Sequence, residues 1–258
     1  MHDVPEGQDK ADALVVVMHI LVTNDDGDTE GLRRLLEVAE QFGEAYAVIP
    51  SRQRSAVSGE ITLHKPLRLH KIGKNIYTFS GTPCDCVLFA VYSGEVPKPD
   101  LVLSGINWGD NTGLAPLIGS GTLGACWQAA LEGVPSIAVS LYRKHREGWR
   151  EKENWGDGKA MVKSLKKLVS ALLPELSPQK FFSVTLPEKL ESAKVVRTNR
   201  FQKTRFSAQI TKRLDPGETP YFWISSAKTE PEQGADYYQV RVKGNITISE
   251  IDLSIFEK

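Results

Sequence analysis

The sequence predicts an α/β three-layer sandwich with a largely parallel sheet and a smaller β-rich C-terminal extension. Three observations support it. Short apolar runs alternate with segments of helical spacing up to about residue 187. Polar loops rich in glycine or hydroxyls follow the apolar runs, where open α/β sheets place their ligand sites. After that point the texture changes to short β-like runs.

The elements follow in order. The apolar run at 13–22 reads as a buried strand, and Leu32, Leu35, Leu36, Ala39 and Phe42 then fall at helical spacing. Gly43 suits the end of that helix, and 45–49 reads as a second strand. Residues 61–69 alternate around Pro66 and belong to a hairpin or edge ribbon with 76–79. Thr82-Pro83-Cys84-Asp85 combines an N-cap, a first-turn proline and an acidic third position, so a helix starts there with Val87, Leu88 and Val91 on its apolar face. A third core strand is expected at 101–103, a helix at 123–132 ending at Gly133, and a strand at 136–141. Residues 143–157 are charged, contain Trp149 and Trp155, and read as a loop that covers a site or meets another subunit. A helix follows at 160–173, then a final core strand at 181–186. The runs 194–196, 206–211, 221–224, 237–242 and 246–248 are read as strands. This divides the chain into a flexible extension at 1–17, a catalytic core with a Rossmann-like sheet at 18–187, and an oligomerisation segment at 188–258.

Composition narrows the function. In 258 residues, 32 basic side chains balance 32 acidic ones, so bulk charge makes no case for a nucleic-acid polymer or a membrane as partner. No apolar stretch is long enough to span a bilayer, and the acidic N-terminus lacks a signal peptide's basic region, so a cytoplasmic setting is expected. Cys84, Cys86 and Cys126 form no disulfide framework; the first two resemble half of a soft-metal site without a second half.

Four loops carry the chemistry. Asp25 and Asp26 close the first strand, and such a pair either caps the next helix or holds a hard cation that relieves its mutual repulsion. Residues 50–59 follow the second strand; their hydroxyls suit a cation or a phosphate, and Arg52 or Arg54 suits an anion, although basic surface turns look similar. Residues 104–113 bring Asn107 as a neutral oxygen ligand, Asn111 as a substrate contact or an Asx turn, and Trp108 as a stacking or packing residue. Gly119-Ser120-Gly121-Thr122 opens a helix and either caps it or cradles phosphate; it lacks the Gly-Lys-Ser/Thr ending of a Walker A loop.

Taken together, Asn24-Asp25-Asp26-Gly27, Arg52-Gln53-Arg54-Ser55, Gly81-Thr82-Pro83-Cys84-Asp85, the 104–113 segment and Ser120-Gly121-Thr122 resemble the signatures of the SurE family of metal-dependent nucleotidases and phosphatases. The resemblance implies one Mg²⁺ or Mn²⁺ per subunit held by Asp25, Asp26, Ser55 and Asn107. It also implies that Asn24, Ser104, Gly105, Asn111, Ser120, Gly121 and Thr122 line the phosphate side, with Asp25, Asp26 and Asn111 as catalytic groups. The substrate would be a nucleoside 5′- or 3′-monophosphate hydrolysed by direct attack of water, and the assembly a homodimer or homotetramer. A broad acid phosphatase, an exopolyphosphatase and a non-catalytic nucleotide-binding regulator are the alternatives. This chain departs from the family in carrying Trp108, in Ala56 after the ligand serine, and in a tail, Asp236 and 244–249, that matches loosely.

Overall fold

The computed structural model describes residues 17–143, 155–203 and 206–256. All of the expected N-terminal extension but Val17, and 144–154 of the expected 143–157 loop, lie outside them.

The first half of the chain is strand then helix by turns. It runs β1 (His19–Thr23), α1 (Glu30–Ala39), β2 (Glu44–Pro50), β3 (Leu69–Lys71), β4 (Ile76–Phe79), α2 (Pro83–Tyr92) and β5 (Leu101–Trp108). Next come α3 (Leu114–Gly119), α4 (Gly121–Leu131), β6 (Ser136–Leu141), α5 (Gly158–Leu172) and β7 (Lys180–Leu186). The chain continues through β8 (Val195–Arg197), β9 (Phe206–Leu214), β10 (Pro220–Lys228), α6 (Asp236–Arg241) and β11 (Ile246–Asp252).

Nine strands form one sheet in the order β3-β4-β2-β1-β5-β6-β7-β11-β8. The block from β4 to β7 is parallel throughout, and β3 and β11 join it antiparallel. Side-chain alternation divides the core. Ile20 and Val22 of β1, Ala45, Ala47 and Ile49 of β2, and Leu101 and Leu103 of β5 face α1 and α5. Leu21, Tyr46, Val48 and Val102 face α2 and α4 on the other side. Both faces are covered by helices, which is why these strands read as nearly unbroken apolar runs. Among the described residues, no helix is long and apolar enough to cross a membrane.

Several expectations change. Residues 237–241 of the 237–242 run belong to a helix, α6, whose Tyr237 and Val240 are buried three residues apart, and Val242 is its C-cap. Six residues of mixed aromatic and β-branched character fit either period, and packing chose the helical one. Only the end of the 61–69 run pairs, as β3 against β4; Pro66 and its neighbours are irregular. The strand at 181–186 is not the last of the core, because β11 pairs with it along its length and β8 extends beyond. The main sheet therefore crosses residue 187, and β9 and β10 alone form a separate antiparallel ribbon. The short helix α3, which contains Pro116, had no sequence signal strong enough to predict it.

Candidate active site

Strand β1 lies between β2 and β5, so the chain turns to opposite sides of β1, and a crevice opens at the carboxyl ends of these strands. A cavity of about 650 Å³ occupies it. Its walls include Asp25, Asp26, Gln53, Ser55, Asn107 and Trp108, continuing through Asn111, Ala115, Pro116 and Ser120. The loops after β1 and β2, the end of β5 and the start of α4 thus meet in one place, although they are far apart in sequence.

The carboxylates differ in environment. Asp25 is buried, and Thr122 Oγ1 donates to its Oδ1 at 2.7 Å. Burial, reinforced by the Asp26 charge, pushes its carboxyl up from 3.8 to about 7, against the lowering effect of the Thr122 hydrogen bond. Asp26 is half-buried; its Oδ1 accepts from Gln53 Nε2 at 3.1 Å, and the same amide nitrogen donates to Ser55 Oγ at 3.1 Å. Gln53 therefore ties two expected ligands from different loops together. Asn107 Nδ2 donates to the Gly109 carbonyl at 2.7 Å, which leaves its Oδ1 as the free end of the amide. No cationic side chain stands among the described cavity walls. Two carboxylates, a hydroxyl and an amide oxygen make an all-oxygen donor set, the kind that hard divalent ions take.

The other expected residues divide into two groups. Asn111 and Ser120 are on the cavity wall. Asn111 Nδ2 is buried and has no hydrogen-bond partner, while Ser120 caps α4 by accepting from Leu123 N at 3.3 Å. Asn24, Ser104, Gly105, Gly121 and Thr122 are not among the wall residues and are tied to their neighbours. Both ends of the Asn24 amide close on Gly27, at 2.7 and 2.9 Å. Ser104 Oγ donates to the Thr122 carbonyl at 2.8 Å. A Cβ on Gly121 would stand 2.9 Å from Asp25 Cβ, so glycine lets α4 begin directly against the carboxylate. Likewise, a Cβ on Gly105 would meet the Val139 carbonyl oxygen at 2.2 Å. Neither Arg52 nor Arg54 lines the cavity; Arg54 instead donates its backbone N–H to the Asp25 carbonyl at 2.7 Å.

The segment from Gly81 to Asp85 works from behind. Thr82 and Asp85 form the capping box expected from their spacing. The Asp85 carboxylate accepts from Thr82 N at 2.8 Å and from Thr62 N at 2.9 Å, and Thr82 Oγ1 donates to the Glu60 carbonyl at 2.6 Å. Together they anchor the far end of the loop that carries Ser55. All three cysteines are buried and free. Burial pushes Cys84 and Cys126 to about 12, so both stay as thiols near neutral pH.

Sequence reasoning missed Gln53, Ala115 and Pro116 as cavity residues. Gln53 lay inside a quoted motif, but nothing in its type distinguished it from a surface glutamine. Trp108 has the contacts of a packing residue. It lines the cavity, and its ring also packs at 4.6 Å from Trp155 and under the Arg143 guanidinium at 4.9 Å.

A family model described as Survival protein SurE matches residues 20–211. A protein named 5′-nucleotidase SurE from Thermofilum pendens is 40% identical over 245 residues, covering 92% of this chain and 91% of its own. One of the same name from Pyrobaculum arsenaticum is 38% identical over 247 residues, with 92% and 91% covered. The crystal structure of the SurE protein from Aquifex aeolicus superposes with a TM-score of 0.72 at 31% identity, over 91% of this chain and 93% of that one.

Proposed function

The chain belongs to the SurE family, and from that premise we propose that it is a divalent-metal-dependent phosphomonoesterase that hydrolyses nucleoside 5′- and 3′-monophosphates to nucleoside and phosphate. The observation that carries the reading is Asn111 Nδ2, a buried donor without a partner on the wall of the cavity that holds Asp25 and Asp26. An unsatisfied buried donor costs stability unless a ligand meets it, and a phosphoryl oxygen is the acceptor that suits this place.

Asp25, Asp26, Ser55 and Asn107 would hold one Mg²⁺ or Mn²⁺, and their oxygen chemistry fits such an ion. When bound, the cation supplies Lewis-acid polarisation of the phosphoryl oxygens. Asn111 donates to the phosphoryl group. Ser120, on the cavity wall at the N-cap of α4, stands where the helix end favours the same negative charge. Thr122 holds the Asp25 carboxylate at a fixed angle through its 2.7 Å hydrogen bond. No side-chain nucleophile is needed: water attacks phosphorus, the ester bond to the nucleoside oxygen breaks, and of the two protons of the water one stays with the phosphate while the other passes to the nucleoside oxygen.

The test is phosphate release from nucleoside 5′- and 3′-monophosphates, polyphosphate and a simple aryl phosphate, each with Mg²⁺, Mn²⁺ or EDTA. Preferential, EDTA-sensitive turnover of nucleotides supports the reading. Equal rates on aryl phosphate would indicate a general phosphatase instead. Nucleotide binding with no turnover under any ion would indicate a regulator.

Trp108, Ala115 and Pro116 add apolar surface to the cavity wall, which suits the nucleoside. Trp108→Ala is expected to raise KM for nucleotides by about tenfold, the order that loss of one base–aromatic contact brings. KM for aryl phosphate should hardly move; an equal rise for both would show that Trp108 only supports the loop.

We further propose that the β9–β10 ribbon mediates assembly into a homodimer or homotetramer. Phe222, Trp223 and Ile224 are consecutive and all exposed, at 59%, 59% and 80%, so both faces of a two-stranded ribbon present apolar groups. An isolated hairpin is marginal in water, and a second subunit would cover it. Light scattering on the intact chain and on Trp223→Lys is expected to show an oligomer that the substitution dissociates; a monomer in both cases would refute it.

A further inference from the structure

We propose that Asp236 is the positioning residue for Asn111, an assignment that rests on the phosphatase reading of the cavity. Asp236 lies outside the cavity, at the first turn of α6, in the stretch whose helix the sequence did not reveal. It is 2% exposed, yet no lysine or arginine is among its hydrogen-bond partners. Its carboxylate is spent on three backbone N–H groups. Oδ1 accepts from Gln202 N at 2.9 Å and from Tyr237 N at 2.8 Å, while Oδ2 accepts from Gly113 N at 2.6 Å.

Gly113 ends the loop that carries Asn111 two residues earlier, and it is the hinge between that loop and α3, which supplies Ala115 and Pro116 to the cavity. Its φ is +87°, a left-handed conformation that leaves its N–H aimed at Asp236. A second contact runs beside the first. Leu114 N donates to the Gln202 carbonyl at 3.0 Å, and a Cβ on Gly113 would stand 3.0 Å from that same oxygen. The C-terminal segment therefore grips the loop two residues after Asn111, and Asp236 is the charged end of the grip. A buried carboxylate held only by backbone donors is an expensive arrangement for stability alone, and its most distant donor in sequence is 123 residues away on the active-site loop. The arrangement makes sense if what it secures is the direction of Asn111 Nδ2, because a donor misplaced by about 1 Å forfeits about 10²-fold in rate.

Asp236→Asn cuts this link selectively. The amide oxygen can keep the Gln202 and Tyr237 donors, while the new Nδ2 faces the Gly113 N–H, donor against donor. The variant is expected to lose about 10²-fold in kcat on a nucleoside monophosphate with smaller effect on KM, and to retain the wild-type Mn²⁺-induced rise in Tm, since Asp236 touches none of the four ligand residues. The decisive measurement is the double-mutant cycle. In an Asn111→Ala background, Asp236→Asn should change kcat less than about twofold, because the residue it orients is gone. A variant at wild-type kcat, or losses that multiply in the double mutant, would overturn the proposal. If Asp236→Asn does not fold, Gly113→Ala disturbs the same grip from the loop side, since alanine disfavours φ of +87° and its Cβ would press on the Gln202 carbonyl, and it enters the same cycle with the same two outcomes. An inactive wild type would overturn the phosphatase reading and this assignment with it; an active wild type with a fully active Asp236→Asn overturns this assignment alone.

Discussion

Asp25→Asn is expected to abolish nucleotide turnover, by about 10³-fold or more, and at the same time to make the metal-free protein more stable at pH 8. The first effect follows from removing one of two carboxylates that hold the cation, a contribution of several kcal/mol to transition-state charge. The second follows from linkage. The Asp25 carboxyl is raised from 3.8 to about 7 by burial and by Asp26, so the folded protein holds this proton more tightly than the unfolded chain. The resulting stabilisation is fully present below about pH 3.8 and is lost as pH rises to about 7. Above that, the metal-free protein carries an ionised, buried carboxylate at a cost on the order of a few kcal/mol. Asparagine has no such charge and still offers an oxygen to the Thr122 hydroxyl. Melting curves in EDTA should therefore show the variant above wild type at pH 8, with the gap closing toward pH 4. Adding Mn²⁺ should raise Tm of the wild type only. A variant less stable than wild type at pH 8 in EDTA would refute the electrostatic account of the site.

Asp85→Ala is expected to cost about 2–4 kcal/mol, a fall in Tm of roughly 5–10 °C, without altering one atom of the cavity wall. The carboxylate is 3% exposed and accepts from two backbone N–H groups, those of Thr62 and Thr82; alanine leaves both without it. The second consequence is functional. The loop from Ser51 to Ile61 would keep Ser58 N on the Gly119 carbonyl at 3.1 Å but lose its anchor at Thr62. Ser55 sits in that loop, so Mn²⁺ affinity should weaken several-fold even where the variant is fully folded. Thermal melts with titrated Mn²⁺ separate the two effects. An unchanged melting temperature would refute the stabilising role given to the Asp85 carboxylate.

The parallel block of the sheet and its helices were legible because its inner strands, β1, β2, β5, β6 and β7, are buried on both faces. Ile20, Leu21 and Val22 point alternately to the two helix layers and must all be apolar. The helix start at Thr82 was equally plain, since its cap, proline and Asp85 act within four residues. Legibility failed where elements are short or paired at long range. Residues 237–242 alternate well enough for a strand, and what makes them helical is the burial of Tyr237 and Val240 together. Nothing local to β11 announces that it closes onto β7 more than sixty residues earlier in the chain.

The candidate site shows the same boundary. Which residue types could hold a cation and a phosphate was written in the chain, in the Asp25-Asp26 pair and in the hydroxyl and amide residues that follow each strand, because donor chemistry belongs to the side chain itself. Which of them face one cavity was decided by tertiary structure. Asp26, Asn111 and Ser120 reach its wall, whereas Asn24 and Ser104 turn to Gly27 and Thr122. Gln53 and Asp236 acquire their roles only from partners that folding brings to them, since a hydrogen bond needs about 3 Å between atoms and sequence spacing sets no such distance across separate elements.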